Sequence, residues 1–392
     1  MRKIPTLLFV FSCFILNGAE NFKKADASTI EIKAESLLSL MNSKYRSELT
    51  GQFYYKQPQD IPAPEEIKKL LPLKKSGIPN WHGGGSGMED CSLFNGTMLS
   101  ALCDRYEVLK TPEAAEEARR LFNGLKLNAT AHGDVGFVAR GISPADGKTV
   151  YPGTSVDQYT YFVYSLWKYA RSPIATSKEK REIAKIFSEI ADKMTREVRA
   201  DADPSYSFKF YKGMPDDRGT GRMIYENPRR VIMRLPMIYA AAWDVSGKKE
   251  YLSLYKKYID EAVEGNAERA RNIDNYVKKW FPAYVVPQMM FALDLVWKVE
   301  TDPAMKEKIR LTFDAVGKAF AENKYTLVTP QRNPRDAAEI INGLLLAPNL
   351  KPSDDYINIL KNNIMKASGY PGSVYCMLGA YWCARSKGAI KP

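Results

Sequence analysis

Two carboxylates at the starts of apolar helical runs are the side chains of this chain best placed to do chemistry. Asp157 follows Thr154, Ser155 and Val156 and opens a run in which Val156, Tyr159, Phe162, Val163, Leu166, Tyr169 and Ala170 recur at helical spacing, with Thr154 or Ser155 as N-cap. Asp90 stands at the head of a second run, Cys91-Ser92-Leu93-Phe94 onward, with Glu89 as its local rival. A first-turn carboxylate meets free backbone N–H groups and the positive end of the helix dipole, which favours its charged form. Two carboxylates sharing one enclosed site push one pKa upward, so that one becomes a proton donor and the other stays a base.

Further candidates lie in the loops. The stretch 128–154 is rich in Gly, Pro and Asp and carries His132, Arg140, Asp146 and Tyr151. A loop of that length in a compact domain is functional or disordered, and its aromatic and Gly content argues against disorder. Arg140 can hold an anionic group in a planar fork. His132 is a candidate acid or base, and so is Tyr159 if the chemistry is proton abstraction. The segment Met214 to Arg234 adds Arg222 as a second anion-holding group, Tyr225, and Glu226 as an alternative acid. Only two histidines occur, His82 and His132, which excludes a His-based metal cluster. The chain has no P-loop, no dinucleotide fingerprint, no H-E-x-x-H and no G-x-S-x-G, and no cofactor or metal is expected.

The elements that must position these groups are helices. Of the 392 residues, 45% are hydrophobic and 26% charged, an ordinary globular composition. Residues 1–27 read as an export signal: Arg2 and Lys3 form a basic region, and Thr6 to Leu16 an apolar run too short to span a bilayer. Cleavage is expected near Ala19 or at Ala25-Asp26-Ala27, and Phe11 before Cys13 argues against lipidation. The mature chain is then exported, periplasmic or secreted, with no membrane span. Residues 28–392 are read as one domain. Cys91, Cys103, Cys376 and Cys383 are expected to be buried thiols: Cys91 and Cys103 on one helix would stand roughly 18 Å apart, too far to bond. The net charge of +12, without a basic tail or nucleic-acid motif, suits an acidic polymer or sugar better than DNA.

Helical runs are expected at about 28–48, 89–107, 112–127, 155–171, 177–199, 229–245, 248–265, 278–299, 303–323, 335–347, 354–367 and 370–386, with short strands at Ser205–Lys212 and Thr326–Val328. Turns within successive pairs are short (Thr111-Pro112, Ser172-Pro173, Ser246-Gly247, Asp302-Pro303). Connections between pairs are long: 128–154, 200–228 and 324–334. Short turns make antiparallel neighbours, and the long loops then gather at one end. Helix 370–386 would have to pair with helix 28–48. Asn95-Gly96-Thr97 and Asn128-Ala129-Thr130 match glycosylation sequons and are read as accidental.

This alternation resembles the all-α (α/α)6 toroid of the six-hairpin glycosidases. The stretch from Glu89 to Leu102 resembles the first inner helix of the unsaturated uronyl hydrolases of that group. Ser155-Val156-Asp157-Gln158-Tyr159, followed by Tyr164-Ser165-Leu166-Trp167-Lys168-Tyr169-Ala170, resembles the start of their second. The resemblance implies a carbohydrate-active enzyme, a glycoside hydrolase on an oligosaccharide containing a uronic acid, with Asp157 and Asp90 as its catalytic pair. Trp280, at the head of a helix, can then stack on a sugar face. Two other readings stay open: a polysaccharide lyase using Arg140 or Arg222 with Tyr159 or His132, and an oligosaccharide-binding protein without catalysis.

Overall fold

The computed structural model describes residues 27–68, 86–151, 153–198, 207–209, 220–222, 225–226, 230–231, 233–277, 283–322 and 333–391. Twelve long helices are found among them: α1 (Ala27–Tyr45), α2 (Cys91–Leu109), α3 (Pro112–Leu125), α4 (Val156–Arg171), α5 (Ser177–Glu197), α6 (Arg234–Ser246), α7 (Lys249–Val277), α8 (Val285–Val299), α9 (Pro303–Glu322), α10 (Pro334–Leu346), α11 (Asp354–Met365) and α12 (Pro371–Ser386). Side-chain caps set many of the starts. Thr176 and Glu179 form a reciprocal capping box on α5, Thr111 caps α3 ahead of Pro112, and Asn333 caps α10 ahead of Pro334. Lys110 and Gly247, both left-handed, end α2 and α6.

The even-numbered helices form a closed ring: α2 packs on α4, α4 on α6, α6 on α8, α8 on α10, α10 on α12, and α12 back on α2. Each odd-numbered helix lies outside, against the inner helix of its hairpin, and α1 packs on α11 and α12 to complete the sixth hairpin. The architecture is an (α/α)6 toroid. Burial shows why each helix takes its place. In α2 every residue from Cys91 to Asp104 is buried, as a helix enclosed on all sides requires. In α3 only one stripe is buried, Ala114, Ala118, Leu121, Phe122 and Leu125, with Gly124 beside it. Glycines let inner helices approach closely: a Cβ on Gly96 of α2 would stand 2.7 Å from the Tyr161 carbonyl oxygen of α4.

The inner helices run parallel. Gln158, near the start of α4, bonds the start of α2, and Arg234 at the start of α6 bonds Thr160 of α4 and Gln288 of α8. With Arg335 of α10 over Phe94 of α2 and Cys376 of α12 bonding Glu339 of α10, all six N-termini open on one mouth.

Some boundaries differ from the sequence reading. α6 begins at Arg234 rather than 229, because two short hairpins precede it: Ser207–Lys209 with Thr220–Arg222, and Tyr225–Glu226 with Arg230–Val231. α7 runs to Val277 rather than 265, and its length supports the second hairpin, whose strands both rest on it. The expected strand Thr326–Val328 and the export signal lie outside the described residues. All four cysteines among the described residues are free and buried. Among the described residues no helix is long and apolar enough to cross a membrane.

Candidate active site

The turn into α2 separates the two neighbouring acids. Glu89 is buried, and its carboxylate accepts the backbone N–H groups of Ser86 (2.6 Å) and Gly87 (2.9 Å), so it builds the turn. Asp90 occupies the N-cap position, but its side chain makes no cap bond. Its Oδ1 instead accepts Gln158 Nε2 at 3.3 Å and lies 3.6 Å from Arg140 Nη1. Gln158 also accepts the Leu93 N–H at 3.0 Å through Oε1 and donates to the Glu89 carbonyl, lacing α4 to α2. Asp157 is the residue before it, in the first turn of α4, where Ser155 rather than Asp157 caps the helix.

One turn further along α4 stands Tyr161. Burial pushes its hydroxyl up, and the carboxylates of Glu339 and Asp157 add to the rise. Its ring meets Phe291 of α8 edge-on, with centroids 5.2 Å apart. Glu339 of α10 is 3% exposed; its Oε1 accepts Arg335 Nε at 3.1 Å and Cys376 Sγ of α12 at 3.6 Å. Burial raises the Glu339 carboxyl, against the pull of Arg335. The Arg335 guanidinium lies over the Phe94 ring of α2, 5.2 Å from its centroid. Tyr55 packs on Phe94, and its hydroxyl is bonded to that of Tyr370. The mouth thus gathers Asp90, Asp157, Arg335 and Glu339 from the starts of α2, α4 and α10.

Arg335 and Glu339 were not singled out from the sequence. The signal was present: Asn333-Pro334 marks a helix start, and Arg335 and Glu339 are charges spaced i, i+4 at the head of the apolar run Ile340-Ile341-Asn342-Gly343-Leu344. The rule that selects Asp90 and Asp157, a first-turn carboxylate, passes over both, since Arg335 is a cation and Glu339 lies in the second turn.

Several expected site residues are spent elsewhere. Tyr159 points away from the ring: it is fully buried, its hydroxyl donates to the Gly136 carbonyl at 3.1 Å and accepts the Val138 N–H at 3.2 Å, and burial drives its pKa up. It pins the 128–154 loop onto α4. His132 bonds the Asn128 carbonyl through Nε2 at 2.9 Å and meets Phe137 edge-on, so it organises the same loop. Arg140 is 6% exposed, with Nη1 donating to the Glu89 carbonyl at 2.8 Å beside Asp90. It braces Asp90 and the turn rather than presenting a fork outward. Of Arg222, Tyr225 and Glu226 only the backbone is described, in the hairpins before α6, and Trp280 lies outside the described residues. Both sequon asparagines are buried: Asn95 bonds the Phe53 backbone in both directions, and Asn128 bonds Gln52 and Ser92.

The chain is thus a six-hairpin toroid whose inner-helix starts bring carboxylates and a guanidinium to one mouth. No protein-family model matches it, and no curated protein does. Similar solved structures include an α-1,6-mannanase of glycoside hydrolase family 76 from Salegentibacter sp. HEL1_6, with 10% identity over 92% of this chain and 100% of that one, and a TM-score of 0.48. An inactive variant of that mannanase in complex with α-1,6-mannotriose gives 12% identity over 92% and 100%, with a TM-score of 0.49. A family 76 mannosidase from Bacteroides thetaiotaomicron VPI-5482 gives 11% identity over 91% and 98%, with a TM-score of 0.49.

Proposed function

We propose that this chain is an exported glycoside hydrolase that cleaves an oligosaccharide containing a uronic acid, with Asp157 and Asp90 as its acid–base pair. The observation that carries the reading is the lacing of their two helices at one level: Gln158, beside Asp157, bonds Asp90 across the α2–α4 contact. Glycosidic cleavage needs a proton donor at the leaving oxygen and a second carboxylate for the attacking water or the anomeric carbon. In this reading Asp157 supplies the proton and Asp90, braced by Arg140, is the second carboxylate. A lyase would need a tyrosine or histidine base, and the hydrogen bonds of Tyr159 and His132 tie both to the 128–154 loop instead. The basic Arg2-Lys3 followed by the apolar run from Thr6 supports export.

The test incubates the mature protein with neutral and uronic-acid-containing oligosaccharides and follows reducing ends together with near-ultraviolet absorbance. New reducing ends without new absorbance, abolished in Asp157→Asn, support the hydrolase. A rise in absorbance would establish a lyase, and binding without either product a carbohydrate-binding protein. Sequencing the N-terminus of the protein recovered outside the cytoplasm tests export, with a start just after Ala19 or Ala27 expected.

A further inference from the structure

Arg335 stands against the helix dipoles around it. Six parallel helices turn the positive ends of their dipoles toward the mouth, which suits Asp90 and Asp157 and disfavours a cation. Burial opposes the Arg335 charge as well, yet Glu339 beside it keeps the guanidinium firmly protonated. The group is also held in place. Nε is tied to Glu339, which is itself backed by Cys376, and the guanidinium plane lies over Phe94. Its two terminal amino groups meet no acceptor among the described residues, and the side chain is 23% exposed. Arg234 differs: Nε donates to Thr160 at 3.0 Å and Nη2 to Gln288 at 2.6 Å, which ties three inner helices together. A cation placed against the dipoles, fixed from behind and open at its fork is what recognition of a planar anion requires.

We propose that Arg335 is the specificity residue of the mouth, pairing its free fork bidentately with the carboxylate of a uronic acid in the oligosaccharide. This rests on the mouth being the sugar site proposed above. Tyr55 against Phe94, with Tyr370 edge-on to Tyr55, would wall the same sugar.

Titration calorimetry on the full chain decides it, with Asp157→Asn in every form so that binding is read without turnover; wild type here means Arg335 intact. The probes are a glucuronic-acid-containing disaccharide, its carboxyl-reduced neutral counterpart, and inorganic phosphate. The wild type should bind the acidic disaccharide about 10- to 100-fold more tightly than the reduced one. Arg335→Gln should erase that preference while leaving the reduced disaccharide unchanged, and Arg335→Lys should keep only part of it. Equal wild-type affinity for the two disaccharides overturns the proposal, as does a preference that survives in Arg335→Gln. Displacement of the acidic disaccharide by an equal concentration of phosphate would assign the fork to phosphate and overturn the carboxylate assignment. If Arg335→Gln does not fold, as its melting curve would show, the wild-type comparison and Arg335→Lys still decide. An acid preference without hydrolysis would sink the hydrolase reading and leave Arg335 standing; hydrolysis without acid preference would do the reverse.

Discussion

The two ends of the inner ring carry similar residue types in opposite arrangements. Toward the C-terminal end, charges cancel across helix contacts. Asp104 of α2 takes Lys168 of α4 at 2.5 Å. Asp294 of α8 takes the Tyr164 hydroxyl of α4 at 2.7 Å and Lys298 at 2.8 Å. Asp244 of α6 takes the Trp167 indole N–H at 2.8 Å and Arg171 at 2.9 Å, both from α4. The cations there sit at the negative ends of the dipoles, where they are favoured. At the mouth, the acids sit at the positive ends, but Arg335 stands against the dipoles and its terminal amino groups meet no acceptor among the described residues. One end reads as a set of charge pairs that fixes helix register, with Asp294 Oδ1 alone of these oxygens left buried without a partner among the described residues. In the proposed reading the other end turns donors and carboxylates toward a sugar, and a working site is where local rules are expected to fail. The lesson is that charge type and burial do not distinguish a site from a staple; what distinguishes them is whether partners on neighbouring helices use up the hydrogen-bonding groups.

The sharpest break between the ends should come from Asp157→Asn. It should lower turnover by about 10²–10⁴-fold with the melting temperature unchanged, since the amide keeps the volume and loses the proton. An active but destabilised variant would make Asp157 a structural first-turn acid. The opposite pattern is expected for Lys168→Met: activity per folded molecule retained, and stability lowered by about 3 kcal/mol because Asp104 is left without its cation. Denaturant unfolding and a rate assay on the same sample check both halves. Gly96→Ala tests the close approach that brings the two acids together. Its methyl must displace the Tyr161 carbonyl, at a cost of about 1–3 kcal/mol, and a drop in turnover beyond the loss of folded protein would show that α2–α4 spacing sets the acid pair.

The smallest effect concerns the start of an outer helix, at the end of the ring away from the mouth. Burial tends to raise the Glu179 carboxyl, but the Thr176 N–H at 2.7 Å, the Thr176 hydroxyl at 2.9 Å and Arg119 outweigh it and hold the pKa below its ordinary value. A carboxyl depressed in the folded state contributes stability above its unfolded pKa and loses it as pH falls through the folded value. Glu179→Gln should therefore cost about 1 kcal/mol at neutral pH and flatten the acid limb of stability below about pH 4.3. Activity should not change. Asp146 behaves alike, its carboxylate gathering Lys148 N–H, Thr149 N–H and the Thr149 hydroxyl, which outweigh the opposing burial.

Hydrophobic period, cap residues and connection lengths determined the twelve helices and their pairing into hairpins, because each is a local property of the chain. Thr111-Pro112, Thr176 with Glu179, and Asn333-Pro334 mark helix starts within a residue of those observed. The pairing of the last helix with the first was legible too, since an unpaired helix at each end leaves apolar faces with no other cover. Asp90 and Asp157 could be picked because a helix start is a local signal. The direction of a side chain around its helix is not. Only the tertiary structure decided that Tyr159 faces the outer loop while Tyr161 meets Phe291 of α8, that Arg140 turns inward on Glu89, and that Glu89 rather than Asp90 is consumed by backbone. Arg335 and Glu339 lie more than 170 residues from Asp157 in the chain, and no local pattern ties them to it. Ring closure brings them to one mouth, because six parallel helices must present all their N-termini on the same side.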